Sequence, residues 1–396
     1  MSQKNIVVGV TGGIAAYKAL DVISKLKKKD YNVHVIMTRS ATEFVTPLSF
    51  QSLSQNMVIT DMFAEPKAFE IQHISLAKKA DLMLIVPATA NIIGKVTNGI
   101  ADDMLSTTIM ATTAPVVFAL AMNTNMYKNP IVVENIEKLK NHGYSFISAE
   151  SGRLACGDVG EGKLADTELI ADIAESILYD TKDMIGKKVL VTAGPTIAPI
   201  DPVRFITNRS TGKMGYAIAE EARDRGAEVT LVSGPCNIKK PFGINLIKVN
   251  TNGEMLEAVL NKFESQDIIV KSAAVADYKP ENYSSKKIKK SEDDLRINFV
   301  RDNDILMRLG KLKTSQVLVG FAAESNDVIE NAKSKLARKN LDYIVANDIT
   351  SHDTGFASDE NRVTIIARNG NTVQYDKMSK RQVARNLFNL INEKRI

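Results

Sequence analysis

The sequence predicts two doubly wound α/β domains with parallel sheets, Rossmann- or flavodoxin-like in arrangement, and three observations carry that reading. Short β-branched runs alternate with stretches long enough to hold a helix, a strand-to-glycine signal occurs at Ile6–Gly13 and again at Val189–Gly194, and a polar stretch separates the halves. In the first half, Ile6-Val-Val-Gly-Val10 ends in Thr11-Gly12-Gly13. Leu20, Ile23 and Leu26 then recur at helical spacing, so strand, turn and helix follow one another. The next apolar runs, Val33–Met37, Leu82–Val86 and Val116–Leu120, fit strands of a parallel sheet covered by helices on both faces. After Leu178 come Asp180-Thr-Lys-Asp183 and Gly186, which place a boundary and give domains 1–186 and 187–396. The second half continues with Val189-Leu-Val-Thr-Ala-Gly194, Val229–Val232, Ile268–Val270, Val317–Val319, Tyr343–Val345 and Val363–Ile366. Between Asp277 and Val300 the alternation lapses into Lys279-Pro-Glu-Asn-Tyr-Ser-Ser285 and Lys286-Lys-Ile-Lys-Lys290, which reads as a mobile functional loop.

Composition narrows the function. With 44% hydrophobic and 24% charged residues, the 396-residue chain is neither disordered nor fibrous. A surplus of 51 basic over 46 acidic side chains is too small to imply nucleic acid unless it clusters. Two cysteines, Cys156 and Cys236, exclude a disulfide framework and a four-thiolate zinc site. Without an apolar signal core after Met1-Ser-Gln-Lys-Asn5 or an apolar run approaching membrane-spanning length, a soluble cytoplasmic protein is expected.

In an open α/β sheet, ligands sit beyond the carboxyl ends of the strands, where helix N-termini hold phosphate. Gly9-Val-Thr-Gly12-Gly13 is placed for that, but Thr11 and Ile14 break the dinucleotide spacing, so a cofactor with a single phosphate fits better than NAD. A glycine turn after a first strand also serves as a plain tight turn, and on the residues alone both readings stand. Further strand ends add Thr38-Arg-Ser40, Pro87-Ala-Thr89-Ala90-Asn91 and Ala121-Met-Asn123-Thr-Asn-Met126. His73, in Ile71-Gln-His-Ile-Ser75, is either a structural hydrogen-bonding residue or a catalyst. Cys156 lies in the glycine-rich segment Ser151–Gly162, where a flap could bring a thiol proton to a ligand.

Gly9-Val-Thr-Gly-Gly-Ile-Ala-Ala-Tyr-Lys18, His73, Ala121–Met126 and Ala155-Cys-Gly-Asp158 together resemble the flavin-dependent cysteine decarboxylases, specifically the phosphopantothenoylcysteine decarboxylase domain. The resemblance implies FMN held by Gly12, Gly13, Ile14, Ser40, Thr89, Ala90, Asn91 and Ala121. It also implies oxidation of the substrate thiol to a thioaldehyde, which accepts the electrons released as carbon dioxide leaves, before reduction of the resulting enethiolate. His73 would be the active-site base or orienting residue, Asn123 the donor to the departing carboxylate, and Cys156 the proton donor. Leu120 stands where this family has proline.

In the second half, Asp201-Pro-Val-Arg-Phe-Ile-Thr-Asn208 and Ser210-Thr-Gly-Lys-Met-Gly215 invite comparison with a P-loop, which fails because Thr207 and Met214 occupy required positions. Gly212 and Gly215 would still allow an anion to approach the backbone. Ser272-Ala-Ala-Val-Ala-Asp277 could admit a flat base, and Asp277 could accept an exocyclic amine. The run Lys287-Ile-Lys-Lys290 reads either as a solvated face or as compensation for a triphosphate.

These segments, with Gly320-Phe-Ala-Ala-Glu324, Lys339-Asn-Leu-Asp342 and Ala346-Asn-Asp348, resemble the CTP-dependent phosphopantothenate–cysteine ligases. The resemblance implies that the carboxylate of 4′-phosphopantothenate attacks CTP, and that cysteine then displaces CMP from the acyl-cytidylate. Asn208 and Lys287 would be catalytic; Asp277, Asn303, Asp304, Ile305, Leu306, Phe321, Lys335 and Lys339 would hold CTP. Magnesium is implied without nameable ligands. Asn303 stands where this family has proline, and Ile197-Ala198 where it has Arg-Glu. The two resemblances imply a homo-oligomer, with decarboxylase sites formed between subunits of trimers and with ligase dimers.

Overall fold

The computed structural model describes residues 3–63, 70–154, 157–290, 295–324, 327–348 and 358–393, and the chain divides into two units, Met1–Tyr179 and Asp180–Ile396. The division falls ahead of residue 186 because Met184 is fully buried in the core of the second unit. Lys182 Nζ and the Met184 amide reinforce this by donating to the Asp224 and Arg225 carbonyls at 2.7 and 3.0 Å.

In the first unit, β1 (Asn5–Val10), β2 (Asn32–Met37), β3 (Val58–Ile59), β4 (Leu82–Ala88), β5 (Val116–Leu120) and β6 (Ser145–Ile147) form one sheet in the order β3-β2-β1-β4-β5-β6. Every pair is parallel. Successive side chains of a strand point to opposite faces, and both faces are covered here. Ile6, Val8 and Val10 pack with Ala16, Ala19, Ile23 and Leu26 of the helix Ala16–Lys28; Val7, Met83 and Ile85 pack with Ile92, Ile93, Leu105 and Ile109 on the other side. The flap segment is a hairpin, β7 (Glu150–Arg153) antiparallel to β8 (Val159–Lys163). Ala155 and Cys156 lie outside the described residues.

The second unit contains β9 (Lys188–Ala193), β10 (Ile197–Pro199), β11 (Phe205–Thr207), β12 (Glu228–Ser233), β13 (Ile244–Lys248), β14 (Ile268–Lys271), β15 (Tyr278–Pro280), β16 (Phe299–Arg301), β17 (Val317–Glu324), β18 (Tyr343–Asp348), β19 (Glu360–Ala367) and β20 (Thr372–Ser379). Its main sheet runs β13-β12-β9-β14-β17-β18-β19-β20. The parallel arrangement extends from β13 to β18, and the sheet then ends in two antiparallel strands. The cause is local: β19 and β20 are joined through Gly370 at φ +90°, a turn far too short for a parallel crossover. β10 pairs with β11, and β15 with β16, as small antiparallel ladders. The second ladder corrects the picture of 277–300 as a loop without packed structure: Tyr278 pairs with Arg301 and Pro280 with Phe299, closing the segment at its base. Among the described residues, no helix is long and apolar enough to cross a membrane.

A buried ion network joins the helix Lys213–Asp224 to the C-terminal helix Lys380–Glu393. Glu221, fully buried, accepts from Arg225 Nε at 2.9 Å and from Arg381 Nε at 2.8 Å. Arg225, only 1% exposed, also reaches Asp183 at 3.1 Å, and Arg381 bonds Asp224. Removing one member of such a network leaves the others charged and desolvated. Glu221→Ala is expected to lower the stability of the second unit by about 3–5 kcal/mol, read from chemical denaturation.

Candidate active sites

The first site lies where the strand order reverses. β2 and β4 flank β1, and the chain leaves their carboxyl ends toward opposite faces, so a crevice opens between the loops. It is a cavity of about 690 Å³, lined among others by Gly12, Gly13, Ile14, Thr89, Asn91, Ala121 and Asn123. Gly12 is required there, since a Cβ on it would stand 2.4 Å from Ser40 Cβ. Thr11 Oγ1 donates to the Pro87 carbonyl at 2.6 Å and ties the β1 and β4 loops together. The helix Ala16–Lys28 begins above this turn with no side-chain cap, and its Ala16 and Lys18 amides donate to the Gly13 and Ala15 carbonyls at 2.9 and 3.0 Å.

Asn123 Oδ1 accepts the Asn125 amide at 2.8 Å, which fixes the carboxamide at the start of the helix Thr124–Tyr127. The flap is seated directly on this segment. The Met122 amide donates to the Gly162 carbonyl at 3.0 Å, and a Cβ on Gly162 would come within 2.1 Å of the Met122 carbonyl. Only glycine allows that approach. Ser40 packs behind Gly12 and Ala90 opens the next helix; neither lines the cavity, nor does His73, which lies half-buried on the helix Gln72–Lys79. The expected proton donor, Cys156, is outside the described residues.

In the second unit the order reverses between β9 and β14. Asn208 Nδ2 donates to the Ala274 and Val275 carbonyls, both at 3.0 Å, which fixes the amide and leaves Oδ1 as the end that can meet a substrate. Thr196, fully buried, braces the same loop, with its Oγ1 accepting the Ala276 amide and its carbonyl accepting from Thr207 Oγ1. The loop leads to Asp277, whose carbonyl takes the Asp302 amide at 2.9 Å. Asp304 caps the helix Ile305–Leu312 and pairs with Lys339 at 2.7 Å. Asn303 donates its amide to Asp302 and offers its carbonyl to Asn252.

Not every expected nucleotide residue reaches this place with its side chain. Ile305 and Leu306 are buried in the core, so their side chains do not reach it. Phe321 packs against the opposite face of the sheet from them. Lys287 is exposed, and the loop that carries it is anchored by residues the sequence reading left without a role. Asp201 Oδ1 accepts the Val203 and Arg204 amides at 2.8 Å; Oδ2 accepts Arg204 Nε at 3.0 Å and the Ile288 amide at 3.1 Å. Arg204 also donates to the Ile288 carbonyl. Burial alone would raise the Asp201 carboxyl, but the three amides and the guanidinium outweigh it and hold it at about 2. The signal was present in Asp201-Pro-Val-Arg204, an Asx-type turn whose side chain binds its own backbone two residues on.

Comparison with known proteins gives a consistent result. Residues 1–178 match the family described as Flavoprotein, and residues 184–394 match the DNA/pantothenate metabolism flavoprotein C-terminal domain. The coenzyme A biosynthesis bifunctional protein CoaBC of Bacillus subtilis (strain 168) is 48% identical over 396 residues, covering 99% of this chain and 97% of that one. That of Escherichia coli (strain K12) is 42% identical over 378 residues, covering 94% and 93%. A crystal structure of the C-terminal domain of a CoaBC protein is 41% identical, covers 54% of this chain and 98% of its own, and has a TM-score of 0.47.

The Asp201 clamp yields a direct expectation. In Asp201→Asn an amide NH₂ would face the Ile288 amide and Arg204, donor against donor. Hydrogen exchange at Ile288 and tryptic cleavage at Lys286–Lys290 should each rise several-fold, with the far-ultraviolet spectrum unchanged. In the wild type, the carboxylate's folded value lies below its ordinary 3.8, so the clamp is complete above about pH 4 and is lost as pH falls toward about 2.

Proposed function

The chain belongs to the family of coenzyme A biosynthesis bifunctional proteins, and on that premise we propose how its residues divide the work. The chain is a bifunctional enzyme of coenzyme A biosynthesis. Its second half is the phosphopantothenate–cysteine ligase and its first half the phosphopantothenoylcysteine decarboxylase.

In the ligase, 4′-phosphopantothenate attacks the α-phosphorus of CTP through its carboxylate, pyrophosphate leaves, and cysteine's amine displaces CMP from the acyl-cytidylate. A carboxylate resists an amine until its oxygen becomes a good leaving group, and Lys287 stabilises charge at the transferring phosphorus. Asp277 takes the cytosine amine, Asn208 holds the acyl-cytidylate through Oδ1, and Lys335, Lys339 and the 303–306 segment complete the nucleotide site. One convergence carries this reading. Asn208 is pinned to the loop that leads to Asp277, and Asp201 pins the loop that carries Lys287, so motifs far apart in sequence meet at one strand-order reversal. Magnesium would arrive on the triphosphate: among the described residues, no three His, Cys, Asp or Glu gather as a metal cage.

FMN is the proposed occupant of the first cavity. The fit is physical: about 690 Å³ of mainly apolar space, a glycine turn packed on Ser40, and a helix start beside that turn for a single phosphate. When bound, FMN supplies the electron acceptance and return that a cysteine carboxylate needs to lose carbon dioxide. Asn123 holds that carboxylate with a neutral donor, which opposes its departure less than an arginine would. The Gly162 contact sets the flap over the substrate, where Cys156 delivers a proton. His73 lies outside the cavity lining, on a helix preceded by the exposed Ile71, which supports a decarboxylase site completed by a second copy; trimers of this half and dimers of the ligase half are what the resemblance implies.

Two expectations test these assignments. Pyrophosphate release from CTP should require 4′-phosphopantothenate, and Lys287→Gln should lower it by roughly 10²-fold. Decarboxylation of supplied phosphopantothenoylcysteine should stay within about twofold, since the two halves carry separate cores. CTP turnover that ignores the acid would refute the ligase reading. For the shared site, His73→Asn and Asn123→Gln oligomers, each inactive as a decarboxylase, should regain activity when dissociated and reassembled together. Failure of such mixtures to recover would place His73 in the same subunit's site.

A further inference from the structure

The turn between β13 and the helix Asn252–Phe263 has no part in the site described so far, yet it holds both places where the second half departs from its family. It is fixed from within. The Asn250 amide donates to Glu254 Oε2 at 2.8 Å, and the Glu254 amide donates to Thr251 Oγ1 at 3.2 Å, which closes the helix start. From this base it reaches outward twice. The Asn250 carbonyl accepts the Ile197 amide at 2.9 Å, and Asn252 Nδ2 donates to the Asn303 carbonyl at 2.8 Å, across 51 positions of sequence. Asn252 is only 1% exposed, and its Oδ1 meets no donor among the described residues, so the Asn303 carbonyl is what orients its amide.

That carbonyl lies between two carboxylates of the proposed nucleotide site. On one side the Asp302 amide donates to the Asp277 carbonyl at 2.9 Å, and the Asp302 carboxylate pairs with Lys279 at 3.4 Å. On the other, Asp304 caps the helix Ile305–Leu312 and pairs with Lys339 at 2.7 Å. Where this one carbonyl stands therefore sets how the Asp277 loop meets the Asp304 helix start. A proline at 303 would restrict the chain there by its ring, with no partner needed. Asparagine leaves φ free and must be held. We propose that Asn252 is a positioning residue of the ligase's nucleotide site, replacing with its hydrogen bond to the 303 carbonyl the restraint that a proline ring gives at that position. This rests on the reading of 303–306 as part of a CTP site.

The test is calorimetric binding of CTP to the full chain, with hydrogen exchange at the 304–307 amides measured on the same proteins without nucleotide. Asn252→Ala should weaken CTP binding roughly five- to tenfold, as loss of one oriented hydrogen bond does, and speed exchange at those amides. Asn303→Pro alone should bind within about twofold of the wild type, and the double variant Asn252→Ala/Asn303→Pro should return to that level, because the ring makes the partner dispensable. Asn252→Ser, suited to a helix start but too short to reach the carbonyl, should repeat the alanine result and serves in its place if the alanine variant does not fold. If Asn252 only packs, proline cannot rescue its loss; a double variant as weak as Asn252→Ala would overturn the proposal. Unchanged binding in Asn252→Ala, or weakened binding in Asn303→Pro alone, would overturn it too. Should the wild type not bind CTP, the nucleotide reading fails, and exchange at 304–307 still decides the brace: equal rates in wild type and Asn252→Ala would sink it.

Discussion

Both sites depend on a backbone constraint that precedes any catalytic side chain. A parallel strand must leave the sheet at its carboxyl end and cross over a face before it can return. Where two neighbours leave toward opposite faces, no chain fills the gap between them, and the crevice is bordered by turns and helix starts. The first unit places this reversal between β1 and β4, the second between β9 and β14. In each, the strands beneath are buried on both faces, so the loops above rest on a floor that cannot shift without opening a core. The antiparallel end of the second sheet, β19 and β20, lies away from the reversal and does not alter it.

The same architecture is tuned to different chemistry by what stands at the rim. Around the first crevice most of the lining is small, apolar or neutral amide, with Lys18, Arg153 and Lys163 as its charged members, which suits a flat cofactor that carries a phosphate and whose own chemistry does the work. Around the second, lysines meet aspartates, and hydrogen bonds to backbone hold those charges in place. Asp201 accepts three amides and Asp304 caps a helix, so each carboxylate fixes a loop as well as offsetting a charge. Charge positioned in this way stabilises a transferring phosphate without first having to reorganise.

Much of this was legible in the residues. Buried strands of a parallel sheet are continuous apolar runs, and Leu82–Ala88 and Val116–Leu120 are buried along their whole length, so their existence and place could be read directly. Strands that escaped notice lack that signature. β3 has two residues, both half-buried; β20 alternates exposed and partly covered residues at a sheet edge; β10 and β11 have three each. Site residues that belong to motifs were legible for the same reason that motifs exist: a turn or close approach restricts the residue type, as Gly12 shows against Ser40. Asp201 was not, because its role comes from a partner 87 positions away. Ile305 and Leu306 show the converse, since the side chains of these motif positions serve the core.

The departures from the family pattern fit this account. A proline at position 303 would fix φ and remove a donor, holding the chain by its ring. Asn303 holds it by hydrogen bonds instead: its amide donates to Asp302 Oδ1 at 2.8 Å, and its carbonyl receives Asn252 Nδ2 at 2.8 Å. Ile197 and Ala198 offer no charged side chain, yet β10 is braced by its ladder to β11 and by the Ile197 amide on the Asn250 carbonyl at 2.9 Å. Leu120 packs into the core beneath the Ala121–Asn123 turn, and the Ala121 amide reaches the Ala88 carbonyl at 3.1 Å. In each place the position of the chain is kept while the means of holding it changes. The chemistry proposed above uses Asn123, Asn208 and Asp277 at defined points in space, and backbone hydrogen bonds can fix such points as well as a ring or a charged side chain would.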